Sequence, residues 1–215
     1  MMDEREKEQQ ELPEDTVTEE TENLEELPEE SPQKAVLRRI WDEVGYIVVP
    51  VAIVLILFGV ILALAWVPTG SMEPTLPTKS HFIGLRLPYL VGDPVPERGD
   101  IVMFESDELD ELLVKRVIGL PGDLITFENG YVYINGEALE EDYLPLQGMT
   151  YPTNDTEIFV VPEGCFFAMG DNRTGSYDSR GWMQPYVPME KIKAKALVSI
   201  AVLPGCTWRG VHLLN

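Results

Sequence analysis

The sequence predicts a mostly β, antiparallel domain, preceded by one membrane-spanning helix and a disordered acidic tail. Three observations predict it. No charged residue occurs from Val44 to Met72, and Tyr46 to Val67 is almost wholly apolar. After Pro68, short apolar runs alternate with Gly, Pro and Asn turn residues, which is the pattern of antiparallel strands. Before the apolar run, Met1 to Gln33 holds 14 Asp and Glu against Arg5 and Lys7, so more than half of the net charge of −21 lies there. The boundaries that follow are 1–40 for the tail, 41–67 for the anchor and 68–215 for the outer domain.

The tail is Glu, Gln, Thr, Asp and Pro with isolated Leu12, Leu24 and Leu27. It buries too little apolar surface to offset the entropy of ordering, so it is expected to be disordered. A docking role for a partner is the alternative.

The anchor is predicted as one helix over Tyr46–Val67. Roughly 20 apolar residues span about 30 Å of hydrocarbon. Pro50 and Gly59 are tolerable inside a membrane helix. Tyr46 and Trp66 stand at its two ends, where aromatic rings suit the water–lipid boundary. The run has no polar stripe, unlike a soluble core helix. Lys34, Arg38 and Arg39 precede it and only Lys79 follows closely. That bias places the N-terminus in the cytoplasm and the outer domain outside, as a single-pass protein of the plasma membrane. Ala63-Leu64-Ala65 has the form of a signal-peptide cleavage site. The run is longer than a signal h-region and follows a long tail, so an uncleaved anchor is expected.

The outer domain contains strand-like runs at Ile101–Phe104, Leu112–Leu120, Leu124–Phe127, Tyr131–Ile134, Ile158–Val161, Cys165–Met169 and Ala196–Leu203. Asn129-Gly130 between two of them is a strong hairpin sequence, and Asn135-Gly136 gives a second turn. The acidic total excludes nucleic acid as a partner, because phosphate binding needs clustered Lys and Arg. Two cysteines far apart, and only His81 and His212, exclude zinc motifs and histidine cages. No metal or organic cofactor is expected. Cys165 and Cys206 could bridge in an external domain, but Cys165 falls in a core-like strand, which favours a buried thiol over the bridge.

Three segments carry chemistry. Pro68 to Pro77 holds three prolines among ten residues. Such stiffness suits a rigid linker and equally a mount for Ser71 as a nucleophile. Serine needs a base. Lys115 lies in an apolar strand and shares a face with Leu113 and Val117. Desolvation would lower its pKa and let the neutral amine act as that base. A surface lysine with a snorkelling stem is the alternative. The third segment, Met169 to Trp182, is a polar loop able to present side chains at fixed positions or simply to turn.

In this order the segments closely resemble the bacterial type I signal peptidases. Ser71-Met72-Glu73-Pro74-Thr75-Leu76 is similar to the nucleophile box, and Arg98-Gly99-Asp100-Ile101-Val102 to the following strand. Lys115 to Asp123 resembles the lysine box. Gly170-Asp171-Asn172-Arg173, with Ser176, Asp178, Ser179 and Arg180, resembles the last box. The resemblance implies a membrane-anchored serine endopeptidase with a Ser71–Lys115 dyad. It implies that Thr69, in place of a more familiar serine, supplies an oxyanion hydroxyl beside the Ser71 N–H. It further implies that Ser176 orients the lysine amine, that Asp178 and Arg180 form a supporting salt bridge, and that Met72 lines the substrate pocket. The implied substrates are signal peptides of exported preproteins, cut after a small-x-small motif. The implied surroundings are the lipid bilayer and the protein export machinery. The chain between the lysine box and the last box is short, as in compact members. Two other readings compete: a soluble Ser–Lys autoprotease of the SOS-repressor type, and a catalytically silent membrane-anchored binding protein of the same fold. The membrane segment opposes the first, and the intact Ser71 and Lys115 oppose the second.

Overall fold

The computed structural model describes residues 31–92, 95–153, 156–201 and 209–214. The predicted tail up to residue 30, and Cys206, lie outside them. Helix α1 runs Pro32–Ile56 and continues as a π-helical stretch, Leu57–Ile61. It is the one helix among the described residues long and apolar enough to cross a membrane. Its uncharged part, Val44 to Ile61, spans about 27 Å at 1.5 Å per residue, close to the hydrocarbon thickness.

Both predicted borders of this segment need correction. Residues 32–40, assigned to the disordered tail, are helical. The helix also stops short of Val67: Leu62–Trp66 forms strand β1, paired antiparallel with β2, His81–Leu85. The cause is visible in the pattern Leu-Ala-Leu-Ala-Trp. Ala63 is buried at 6% exposure while Leu64 and Trp66 face outward at 60% and 55%. That period of two belongs to a strand, and β2 supplies the hydrogen bonds that the helix would otherwise have provided.

The remaining strands are β3 (Ile101–Ser106), β4 (Glu111–Gly119), β5 (Leu124–Glu128), β6 (Tyr131–Ile134), β7 (Glu137–Ala138), β8 (Ile158–Val160), β9 (Cys165–Met169), β10 (Tyr186–Pro188), β11 (Ile192–Ala201) and β12 (Gly210–Leu213). One sheet has the order β1-β2-β11-β3-β4-β9-β10, with β12 also on β11. A second has the order β7-β6-β5-β8. Every pairing among the described strands is antiparallel. The mostly β, antiparallel expectation therefore holds, and each predicted run falls on a strand over its described residues, with 202 and 203 of the last run lying outside them. The hairpin between β5 and β6 closes with Glu128 opposite Tyr131, as Asn129-Gly130 predicts. Both turn residues have positive φ, 52° and 83°, which suits Asn and Gly. Side chain is impossible at Gly130, where a Cβ would sit 2.1 Å from the Gly148 carbonyl oxygen.

Three apolar clusters hold the sheets. One joins Met72, Leu76, Phe82, Ile101 and Met103. A second joins Phe104, Val117, Phe166 and Trp182, and a third joins Ile125, Phe159, Phe167 and Met169. The first cluster matters most for chemistry. It anchors the turn carrying Ser71 through the buried side chains of Met72 and Leu76, next to the strands that present Lys115.

Candidate active site

Ser71 opens a turn, residues 71–75, that leaves β1 and returns to β2. Its backbone is pinned on both sides. Asn172 N–H donates to the Ser71 carbonyl at 3.1 Å, and Asn172 Nδ2 donates to the Gly70 carbonyl at 3.0 Å. Glu73 Oε1 accepts from the Thr78 N–H at 3.1 Å and from its hydroxyl at 2.7 Å, closing the turn behind the serine.

Lys115 lies in β4, opposite Val102 of β3. Its side chain is 4% exposed, and Nζ lies 2.7 Å from Ser71 Oγ. Burial lowers its pKa from 10.5 to about 8; the Asp178 and Asp171 carboxylates act against that shift and Arg180 adds to it. A neutral amine at 2.7 Å is within reach of the serine proton, the geometry that a general base requires.

The structure places the other predicted residues as follows. Thr69 is exposed on the segment before Ser71. Met72 is 1% exposed and belongs to the core, and it also lines the groove described below. Asp178 and Arg180 form a bidentate pair, with Nε to Oδ1 at 2.8 Å and Nη2 to Oδ2 at 2.9 Å. Asp178 Oδ2 also accepts from Gly170 N–H at 2.9 Å, and Arg180 Nη2 donates to the Arg173 carbonyl at 2.8 Å, so the pair fixes the loop's path. Ser176 departs from expectation. Its hydroxyl is buried but makes no hydrogen bond, so the expected bond to the Lys115 amine is not formed. Lys115 is instead engaged with Ser71. The serine nonetheless sits against the nucleophile's backbone: a Cβ on Gly170 would lie 2.3 Å from Ser176 Oγ and 2.4 Å from the Ser71 carbonyl oxygen. Only glycine permits that approach.

Sequence reasoning assigned no role to several residues that tie the site together. Asp171 accepts from the Thr75 hydroxyl at 2.6 Å, from Arg116 Nε at 2.8 Å and from Arg116 Nη2 at 2.6 Å. Arg116 also lies over the Tyr143 ring at 3.8 Å and donates to the Gly99 carbonyl at 2.7 Å. Arg173 pairs with buried Glu141 and donates to Thr150 Oγ1 at 2.8 Å. The available clue was a charge within an apolar run: a buried arginine requires a carboxylate.

A groove of about 100 Å³ reaches the dyad. One wall is Ala65 to Pro68 at the end of β1, and the other is Glu111 to Lys115 of β4. Over that stretch β4 pairs with β3 on one side, while its pairing with β9 begins at Arg116. Among the described residues β1 pairs only with β2. Two strand edges therefore face the groove with free backbone groups. Among the described residues no cluster of His, Cys, Asp and Glu suits a metal ion. Cys165 is a free thiol whose pKa is pushed up by burial.

A serine hydroxyl held by a buried lysine beside a groove with open strand edges is an arrangement that suits a serine hydrolase. Comparison with known proteins makes this specific. The profile of the family "Signal peptidase, peptidase S26" matches residues 40–201, and the chain belongs to that family; it is a serine endopeptidase. "Signal peptidase I S" of Bacillus subtilis is 37% identical, over 62% of this chain and 74% of the relative. "Probable signal peptidase I-2" of Synechocystis sp. is 35% identical, over 76% of this chain and 75% of the relative. "Signal peptidase I" of Leptolyngbya laminosa is 38% identical, over 62% of this chain and 66% of the relative.

Proposed function

We propose that this chain removes signal peptides from exported preproteins with Ser71 as nucleophile and Lys115 as general base, while α1 anchors it in the membrane. The observation that carries this reading is the 2.7 Å approach of Lys115 Nζ to Ser71 Oγ in a buried setting. Ser71 Oγ attacks the scissile carbonyl as its proton passes to Nζ. The resulting ammonium then protonates the leaving amine. Water repeats the cycle on the acyl-enzyme, giving its proton to Lys115 and releasing the serine. The oxyanion is held by the Ser71 N–H, which has no acceptor among the described residues, and by the Thr69 hydroxyl.

The substrate pairs as an added strand with the open edges beside the groove, which fixes register through the backbone. The groove is small, so it admits side chains of alanine size and excludes bulk; this supports cleavage after small-x-small. Met72 forms part of its floor. Asp178 and Arg180 hold the loop, and Ser176 offers its unpaired hydroxyl to the lysine once Lys115 carries the proton and releases Ser71. The anchor and its basic flank support placement in the plasma membrane with the N-terminus inside, and membership of the family supports a place near the export machinery. The deciding experiment incubates purified full-length protein with a preprotein. Cleavage after the small-x-small motif that is lost in Ser71→Ala supports the reading. Cleavage that persists in that variant refutes it.

A further inference from the structure

We propose that a recess beside the end of the anchor helix binds an anionic phospholipid, with Arg86 holding the headgroup phosphate. The recess has a volume of about 490 Å³, and Phe58, Leu62, Leu64, Met103 and Leu112 supply most of its walls. Arg86 is the one charged residue among those lining it. Leu64 and Leu112 are 60% and 53% exposed, so the walls are open to the surroundings.

The place of Arg86 is set by the end of the helix. Its N–H donates to the Ile61 carbonyl at 2.8 Å, and Nη1 reaches the Gly59 carbonyl at 3.4 Å. With α1 in the bilayer, this is the level at which hydrocarbon gives way to headgroups. Arg86 also differs from the four buried or half-buried arginines of the domain, while Arg209, likewise without a carboxylate partner among the described residues, does not line the recess. Arg98, Arg116, Arg173 and Arg180 each pair with a carboxylate. Arg86 pairs with none among the described residues, although the chain carries a net charge of −21. A guanidinium offers five donors in a planar fork suited to phosphate. An acyl chain would cover the apolar walls while its phosphate satisfies that fork. The apolar segment of a signal peptide would cover the same walls and leave the cation unmatched, so charge complementarity selects the lipid. The recess and the substrate groove share Ala65, Met103 and Leu112. The bound lipid therefore lies alongside the substrate's path.

The inference rests on α1 being a membrane span, and the test separates the two. The full chain is reconstituted in phosphatidylcholine vesicles and floated; failure to float refutes the anchor and not the lipid site. In floated protein, Trp66 on β1 reports quenching by brominated acyl chains, with Trp66→Phe subtracted as background. Brominated phosphatidylglycerol should be enriched at Trp66 about fivefold over brominated phosphatidylcholine, the preference expected of one basic residue near an anionic lipid. Arg86→Gln should remove the preference, and Arg86→Lys should retain part of it with an unchanged melting temperature. Equal quenching by the two lipids in the parent overturns the proposal, as does a preference that survives in Arg86→Gln. Displacement of the lipid by inorganic phosphate would show a free-phosphate site instead. A raised KM for Arg86→Gln in vesicles of phosphatidylcholine alone would show that the recess takes the substrate, and would also overturn it.

Discussion

The Thr75 hydroxyl donates to the Asp171 carboxylate at 2.6 Å across 96 positions of sequence. The same carboxylate binds Arg116, the residue next to Lys115 in β4. One acid thus ties the turn that carries Ser71 to the strand that carries Lys115. Asp171 is 1% exposed and Arg116 2% exposed, so neither charge can turn to solvent. Removing one partner of a buried pair costs about 3 kcal/mol. Asp171→Asn should therefore lower the melting temperature by on the order of 10 °C. Thr75→Val keeps the ion pair and loses one charge-assisted hydrogen bond, about 1.5 kcal/mol. Both should reduce kcat more than they raise KM, because they disturb dyad geometry and not the groove. Thermal melts and steady-state kinetics on the two variants check this; wild-type kcat in Asp171→Asn would show that the tie is dispensable for catalysis.

Ser71→Ala and Lys115→Ala should each reduce cleavage by at least about 10³-fold, because nucleophile and base act as a unit. Lys115→Arg should be equally inactive, since guanidinium keeps its proton at any working pH. Circular dichroism should show all three folded. Near-normal turnover by either alanine variant would exclude the dyad.

The charged boxes and most strands were legible because their patterns are local. Asn129-Gly130 fixes its turn by backbone conformation alone, and Ile101–Phe104 is short, apolar and bounded by Arg98-Gly99-Asp100. Lys115 could be read as desolvated because a strand's alternation puts it with Leu113 and Val117. β1 was not legible, since Leu62–Trp66 continues an apolar run without interruption; only the partner strand β2 distinguishes it from more helix. The ties from Asp171 to Thr75 and from Glu141 to Arg173 depend on register between distant segments. Nothing in either segment alone announces them. The absent Ser176–Lys115 hydrogen bond has a related origin: a loop's sequence shows which hydroxyls are near a site, but not which acceptor the lysine chooses.

Thr69 should act through its hydroxyl alone. Thr69→Ser keeps the donor and should retain activity, whereas Thr69→Val removes it and should lower kcat about 10²-fold, the usual effect of losing one oxyanion donor. KM should change little in both. Equal kcat for the valine and serine variants would leave the Ser71 N–H as the only donor.

The basic flank at Lys34, Arg38 and Arg39 should keep the N-terminus inside. Protease added to intact cells should digest the domain after Pro68 and spare an epitope placed before Lys34. Loss of that epitope with an intact domain would reverse the topology and with it the assignment to preprotein processing.

The pH dependence tests Lys115 in two independent ways. Its pKa is lowered from 10.5 to about 8, chiefly by burial. The acidic limb of kcat/KM should therefore fall near pH 8 and follow a single group, because only the neutral amine accepts the serine proton. Stability carries the same shift with a defined sign. A lysine whose folded pKa lies below its unfolded value favours the unfolded state wherever the unfolded lysine is protonated. The penalty is absent above pH 10.5, grows as pH falls, and is complete below about pH 8, where it amounts to about 3 kcal/mol. Lys115→Met removes the penalty and also forfeits the hydrogen bond to Ser71, worth about 1 kcal/mol. The Met variant should then be inactive yet more stable than the parent at pH 7 by about 2 kcal/mol, with the advantage gone near pH 10 and reversed to a deficit of about 1 kcal/mol well above pH 10.5. Denaturant titrations of both proteins at pH 7 and pH 10, beside the parent's pH–rate profile, measure this directly. A Met variant less stable at pH 7 would count against a desolvated, neutral Lys115, and an acidic limb near pH 4 would require a carboxylate and not Lys115 to control the reaction.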